Sequence, residues 1–184
     1  MIFVTVGTHE QSFDRLIEAV DHLKKNGIIT EEVIMQTGFG AYEPKFCQAS
    51  KLFAYAQMLE YVKEARIVIT HGGPSSFIMP LQMGKIPIVV PRQKRYGEHV
   101  NDHQVEFAQA VAERMGNIIV VEDVGELGDV IGSYEERCRK LGKLQTAASG
   151  GLEESVAGIS DKGMGNNQRF NEKLGEIVRE LGVE

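Results

Sequence analysis

The run Ile67-Val68-Ile69-Thr70-His71-Gly72-Gly73-Pro74-Ser75-Ser76 constrains this chain more than any other. Its β-branched apolar half reads as a buried strand. It breaks at a polar glycine turn, and Ser75 or Ser76 is placed to cap a following helix. A strand, a glycine turn and a helix N-terminus together make an anion site. The helix end offers unpaired N–H groups and partial positive charge, and glycines let a phosphate approach the backbone. The plain alternative is an ordinary turn with a packed His71, but two glycines, a proline and two serines exceed what a turn requires. Neither GxGxxG nor the GK[ST] of a P-loop occurs in this run, so dinucleotide and ATP-hydrolysis readings lose support.

The same alternation recurs along the chain. Ile2 to Val6 reads as a strand. Phe13 to Lys25 reads as an amphipathic helix with Phe13, Leu16, Ile17, Val20 and Leu23 on one face, Ser12 as N-cap and Gly27 as stop. Val33 to Gln36 is a strand, Lys51 to Tyr55 a short one, and Met58 to Ala65 a helix. After the strand at Ile67 comes a partial helix over Phe77 to Met83, which Pro80 distorts or shortens. Ile86 to Val90 is a strand, Asn101 to Arg114 a helix, and Ile118 to Val121 the last clear strand. Strands that each lead into a helix imply an α/β fold, a Rossmann-like parallel sheet with helices on both faces. In such sheets ligands sit at the carboxyl ends of the strands. The turns at Gly7, Gly38, Gly72 and Arg92 should therefore converge on one edge.

Composition narrows the class. Apolar residues make up 42% of the 184 residues and charged residues 25%, as in an ordinary globular domain. A net charge of −6 argues against nucleic acid as a partner. Cys47 and Cys138 lack the spacing of a zinc site or a disulfide framework and read as free thiols in a reducing cytoplasm. Met1 to Val6 lacks the basic flank of a signal peptide. No apolar run approaches the ~20 residues that cross a bilayer, so membrane association is expected to come through a partner or a surface patch.

A second polar cluster, Arg92 to Gln104, follows the Ile88 strand. Its Glu98, Asn101, Asp102 and Gln104 can bond sugar hydroxyls, and its basic residues can face phosphate oxygens. The plain alternative is a solvated loop with a helix cap. His99 and His103 stand at a spacing that can chelate zinc, but no H-E-x-x-H pattern accompanies them, and no metal is expected. His9, in Gly7-Thr8-His9-Glu10, is a candidate general base, a ligand contact, or a surface histidine beside the site.

Residues 1–145 are expected to form the domain and 146–167 a Gly-rich flexible linker. Residues 168–184 should form an amphipathic helix carrying Phe170, Leu174, Ile177, Val178 and Leu181. That helix either folds back on its own domain or docks another subunit.

Taken in order, Val4 to Thr8, Met35 to Gly38, Ala65 to Ser76, Gly84 to Arg92 and Glu98 to Gln104 resemble the C-terminal domain of glycosyltransferase family 28. The closer resemblance is to one-domain donor-binding subunits of split glycosyltransferases. These are the catalytic subunit of the eukaryotic dolichol-pathway N-acetylglucosaminyltransferase and bacterial counterparts in capsule and exopolysaccharide synthesis. The resemblance covers Met1 to about Met115 and implies the C-terminal half of a GT-B fold.

By position, it implies that Gly72, Gly73, Ser75 and Ser76 take the diphosphate of a UDP-sugar, beside His71 and the Gly7-Thr8 turn. Gln36 and Gly38 would line the nucleotide pocket, and the turn at Ala56 and Met58 would meet the base. Arg92 would face phosphate, while Glu98, His99, Asn101, Asp102 and Gln104 would address the sugar. Related transferases carry a ribose-binding glutamate on the helix after the glycine turn; here Met79 occupies that place, followed by Pro80.

A GT-B enzyme needs a second domain for its acceptor. The resemblance therefore implies a membrane-anchored partner, a lipid-linked saccharide acceptor, and a cytoplasmic chain recruited to the inner membrane face through that partner. No cofactor is implied. The expected activity is inverting sugar transfer with His9 as candidate catalytic residue. A non-catalytic enhancer module and, more weakly, a sugar-nucleotide epimerase are the alternatives.

Overall fold

All strand pairings in this computed structural model are parallel. It describes residues 1–148, 172, 175–177 and 179–180. The strands are β1 (Ile2–Thr5), β2 (Val33–Gln36), β3 (Gln48–Ser50), β4 (Ile67–His71), β5 (Ile88–Val90) and β6 (Ile119–Val120). They lie in the order β3-β2-β1-β4-β5-β6. The order reverses direction between β1 and β4, and a crevice opens at their carboxyl ends, where doubly wound sheets take ligands.

Helices α1 (Asp14–Lys25), α2 (Tyr55–Glu64), α3 (Pro74–Gln82), α4 (His103–Met115), α5 (Leu127–Gly132) and α6 (Tyr134–Ala148) complete the chain of elements. The period-two alternation of each strand separates the two faces. Ile2, Val4, Ile67, Ile69, Ile88 and Val90 form one core with Leu16 and Val20 of α1 and Leu127 and Val130 of α5. On the other face, Phe3 and Val68 pack with Val62 of α2, and Val89 packs with Phe77 of α3 and Phe107 of α4. Each such side chain stabilises the fold by about 1.5–3 kcal/mol; the buried polar residues of these strands, Thr5, Gln36 and Thr70, lie at their carboxyl ends, beside the crevice.

Several local expectations are corrected. Helix α1 begins one residue late. Its N-cap is Phe13, with no side-chain cap; the carbonyl of Ser12 accepts Arg92 Nη1 at 3.0 Å instead. Strand β3 lies at Gln48–Ser50 rather than Lys51 to Tyr55, because the parallel register pairs Ile34 with Gln48 and Gln36 with Ser50. This edge strand exposes Gln48 and Ala49 and so carries no apolar signal. Helix α2 starts at Tyr55, earlier than Met58. Helix α3 starts at Pro74, with Gly73 as N-cap and no side-chain cap, so neither Ser75 nor Ser76 caps it. The helix continues two residues past Pro80.

Helix α5 and the start of α6 fall where no element was expected, and α6 extends three residues into the expected linker. The rest of that linker lies outside the described residues, as do Phe170, Leu174, Val178 and Leu181. The described residues between 172 and 180 are helical. Ile177 packs with Phe77 and Phe107, and Glu180 pairs with Arg114 at 2.6 Å.

Asp21 of α1 is wholly buried, yet it is held charged. It accepts from the Tyr42 hydroxyl at 3.0 Å, Lys45 N at 3.0 Å and Phe46 N at 2.8 Å. Burial alone would raise its pKa, but these donors outweigh it and the carboxyl lies below its ordinary range. They also tie the segment before β3 to α1.

Candidate functional site

The expected convergence of turns is realised, and glycines make it possible. A Cβ on Gly38 would lie 3.0 Å from Gly7 O, and one on Gly7 would lie 2.5 Å from Cε1 of His71. One on Gly73 would lie 2.7 Å from His71 Nε2, and one on Gly72 would lie 3.0 Å from Pro91 Cβ. The turns after β1, β2, β4 and β5 therefore touch in succession across one edge. Gly7 and Gly38 also adopt φ of +74° and +60°, a region that only glycine enters without strain.

Beside this row lies a cavity of about 680 Å³, lined by Thr5, Gly7, Thr8, His9, Glu10 and Gln36 from the first two turns and by Met58, Val62, His71, Ser75, Ser76 and Met79 from the α2–α3 side. It sits where β1 and β4 diverge, with the N-terminus of α3 on its wall. Pro74 brings no N–H to that terminus, so Ser75 is the first helical residue able to offer one. The side chain of Ser76 turns back instead, its Oγ within 2.6 Å of both the His71 and Gly73 carbonyls. Gln36 braces the floor. Its Nε2 donates to Gly7 O at 3.4 Å, and its Oε1 accepts from Phe53 N at 3.4 Å.

Arg92 corrects an expectation. It does not face a ligand: it is 1% exposed. Its Nη1 donates to the carbonyls of Gln11 at 2.8 Å, Ser12 at 3.0 Å and Glu98 at 3.3 Å, and its Nη2 to Val6 O at 3.0 Å. The Phe13 ring lies 4.8 Å beneath the guanidinium. Burial lowers its pKa to about 10, partly offset by Glu98, so the cation persists at neutral pH. Its charge reaches the site without contact. Burial first, and Arg92 second, lower the pKa of His9 and push that of His71 down to about 4.

Glu98 is likewise corrected. Its carboxylate is 4% exposed, held by Arg15 at 2.8 Å and 2.9 Å and by Gln93 N at 3.0 Å. The rest of the cluster is largely tied to its own loop. Asp102 Oδ1 accepts from Lys94 N at 2.8 Å, and Gln104 Oε1 accepts from Arg92 N at 3.2 Å. Asn101 Oδ1 lies 2.9 Å from His99 Nδ1. The ring of His99 stands 5.4 Å from that of His9, which brings this loop to the rim of the cavity. Gly72 and Gly73 shape the turn without lining the cavity, because their α-carbons are packed against Gln104 and His71. Gly38 packs on Gly7 in the same way, and Ala56 is exposed in the first turn of α2.

Thr5, Glu10, Val62 and Met79 line the cavity although sequence assigned them no binding role. Glu10 and Met79 were legible from their positions in motifs; Thr5 and Val62 look like ordinary core residues in sequence. Among the described residues, no group of three His, Cys, Asp or Glu side chains is arranged to hold a metal ion. None of the described helices is long and apolar enough to cross a membrane.

A parallel sheet with this strand order and a cavity against a helix N-terminus defines a Rossmann-like domain of the kind found in GT-B glycosyltransferases. Solved structures agree on the fold. The glycotransferase of kitacinnamycin superposes with TM-score 0.54 at 16% identity, over 94% of this chain and 42% of that one. The calicheamicin glycosyltransferase CalG4 superposes with TM-score 0.51 at 13% identity, over 98% of this chain and 43% of that one. The chain belongs to the glycosyltransferase family 28 C-terminal domain family, whose model matches residues 1–125.

Curated relatives include the UDP-N-acetylglucosamine transferase subunit ALG13 of Homo sapiens, 36% identical over 117 residues and 59% of this chain. The subunit of the same name from Mus musculus is 32% identical over 118 residues and 58% of this chain. The matched stretch spans only 10% and 9% of those relatives.

Proposed function

We propose that this chain is the donor-binding subunit of an inverting glycosyltransferase, passing a sugar from a UDP-sugar to a lipid-linked saccharide acceptor in capsule or exopolysaccharide synthesis. The observation that carries the reading is the cavity between β1 and β4, walled by the N-terminus of α3. A diphosphate there would meet the Ser75 N–H, the Ser75 hydroxyl and the positive end of the α3 dipole. The buried Arg92 adds positive potential from beneath. Such preorganised charge stabilises a departing UDP most as the glycosidic bond breaks, without calling on a metal. Met58 and Val62 offer an apolar surface to a base. His9, Thr8 and the loop carrying His99, Asn101 and Asp102 lie on the side from which a sugar would project.

Acceptor binding and membrane attachment are assigned to a membrane-anchored glycosyltransferase partner, which would hold this cytoplasmic chain at the inner membrane face. Support comes from the relatives, which are named as subunits. Calorimetric titration of UDP and UDP-sugars, with the chain alone and with its partner, tests the reading. Saturable binding in either state supports it, and the absence of heat in both removes it.

One observation favours a second reading. Met79 lines the cavity where related transferases place a ribose-binding glutamate, which suits a non-catalytic module that stabilises a partner. That module would leave sugar transfer and the donor KM of the complex intact on Ser75→Ala.

A further inference from the structure

His9 and His99 stand at the rim as a pair, with ring centroids 5.4 Å apart and planes inclined at 41°. A neutral imidazole carries its proton on one nitrogen, and the partner of either nitrogen fixes which. Nδ1 of His9 receives the backbone N–H of Gln11 at 3.1 Å. That nitrogen is therefore the acceptor, and the proton of the neutral ring sits on Nε2. Nδ1 of His99 meets the opposite partner, Asn101 Oδ1 at 2.9 Å. The orientation of that amide is set independently, because the same Oδ1 accepts the His103 N–H at 3.3 Å. An oxygen facing Nδ1 requires a proton on Nδ1. The Asn101 N–H also points at this nitrogen, but at 3.4 Å it is the longer and weaker contact. His99 therefore keeps its lone pair on Nε2.

We infer that the two rim histidines are held in opposite tautomers, so that His9 offers a neutral Nε2–H donor to an oxygen in the cavity while His99 offers a bare Nε2 that can take a proton. This reverses the role expected for His9, whose only free nitrogen is not basic until the ring flips or loses its bond to Gln11. Its environment supports the assignment. Burial, then Arg92, then His99 hold its pKa down, with Glu10 opposing, so the ring is neutral at physiological pH. A neutral donor beside a buried cation suits a diphosphate or leaving-group oxygen. The bare Nε2 of His99 suits a hydroxyl about to lose its proton. The tautomers stand on the hydrogen bonds alone; the identity of the two oxygens rests on the proposed function.

Long-range ¹H–¹⁵N correlation of the full-length labelled chain at pH 7.5 tests the assignment directly. The expected result is a protonated-type shift at Nε2 of His9 and at Nδ1 of His99. The reverse pattern at either ring overturns the inference, whether or not UDP binds. With UDP-sugar and the partner present, substitutions separate the roles. His9→Ala should lower turnover by roughly ten- to a hundredfold, the worth of one hydrogen bond to a charged oxygen. His9→Gln, whose amide N–H can take the place of Nε2–H, should recover most of that loss, and His9→Asn should not. Equal loss in His9→Gln and His9→Asn would mark a base and sink the donor role.

His99→Gln removes the bare ring nitrogen and should cut kcat while leaving the donor KM in place, whereas His9→Gln retains most of kcat. The charged groups that face the pair are Arg92, Glu10 and His71. An unchanged kcat in His99→Gln would overturn the His99 role.

Discussion

The α-carbon of Gly7 lies against the imidazole of His71: a methyl group there would sit 2.5 Å from Cε1 of the ring. The two residues close the carboxyl ends of β1 and β4, the strands between which the cavity opens. The φ of +74° at Gly7 adds roughly 1–2 kcal/mol of strain for any other residue. Gly7→Ala should therefore destabilise the chain by at least this amount in urea denaturation. It should also weaken UDP binding, because His71 must move into the cavity it lines. Retained stability and affinity would show that the turn can relax.

Stability should fall as pH drops from neutrality toward 4, before the carboxylates titrate. His71 is held at about 4, against an ordinary 6.5. Between those values the unfolded chain binds the proton and the folded chain does not, so protonation favours unfolding. Its contribution is complete above about 6.5 and is lost progressively down to about 4, on the order of 3 kcal/mol in all. His9, also lowered, acts in the same direction. Asp21 and Glu31 have lowered pKa values as well. Their stabilisation is kept above the ordinary carboxylate range and lost only below it, so the two windows separate. Urea midpoints from pH 7.5 to 4.5 should decline in the parent chain and decline less in His71→Asn.

Glu98 should prove to hold the fold rather than a sugar. Its bidentate pair with Arg15, 5% and 15% exposed, joins α1 to the loop after β5. Glu98→Gln strands a half-buried guanidinium that also lies 4.5 Å from the Tyr96 ring. A loss of about 3 kcal/mol is expected in denaturation. A double-mutant cycle with Arg15→Met should show that most of this loss is coupling. Should Glu98→Gln instead keep full stability and lose donor affinity, the carboxylate faces the sugar after all.

Ser75 and Ser76 should separate cleanly, though they are neighbours. Ser76 Oγ turns back to the carbonyls of the preceding turn. Ser76→Ala is therefore expected to cost about 1 kcal/mol of stability and to affect UDP only indirectly. Ser75 is exposed in the cavity wall and makes no side-chain hydrogen bond among the described residues. Ser75→Ala should leave the thermal midpoint unchanged and weaken UDP binding. The reverse pattern would invert their assigned roles.

The central strands were legible because they are buried on both faces and read as unbroken β-branched runs, as at Ile67 to Ile69. The edge strand at Gln48–Ser50 was not, since half-exposed polar residues carry no such signal. Helix α5 was missed because its Gly128 and Gly132 look like loop residues; only contact with α1 and the sheet stabilises it. Within the candidate site, the turns that meet at the crevice followed from strand–turn–helix order alone. Which side chains face the crevice was legible only in part: Thr8, His9, Gln36, Met58, His71, Ser75 and Ser76 line it as expected, whereas Arg92 and Glu98 are buried in the fold.

Local patterning thus determined the parallel α/β sheet, the edge at which its turns gather and the helix N-terminus set there, because these depend on periodicity and on turn chemistry a few residues long. Tertiary structure decided the rest. Whether Arg92 meets an anion or the carbonyls of Val6, Gln11 and Ser12 depends on which polar groups the folded chain brings within hydrogen-bonding distance. A buried guanidinium takes whatever acceptors lie within reach; Arg92 does so through Nη1 and Nη2, while its Nε is left without a partner. Those acceptors lie eighty or more residues away in the chain, a distance across which sequence spacing carries no information.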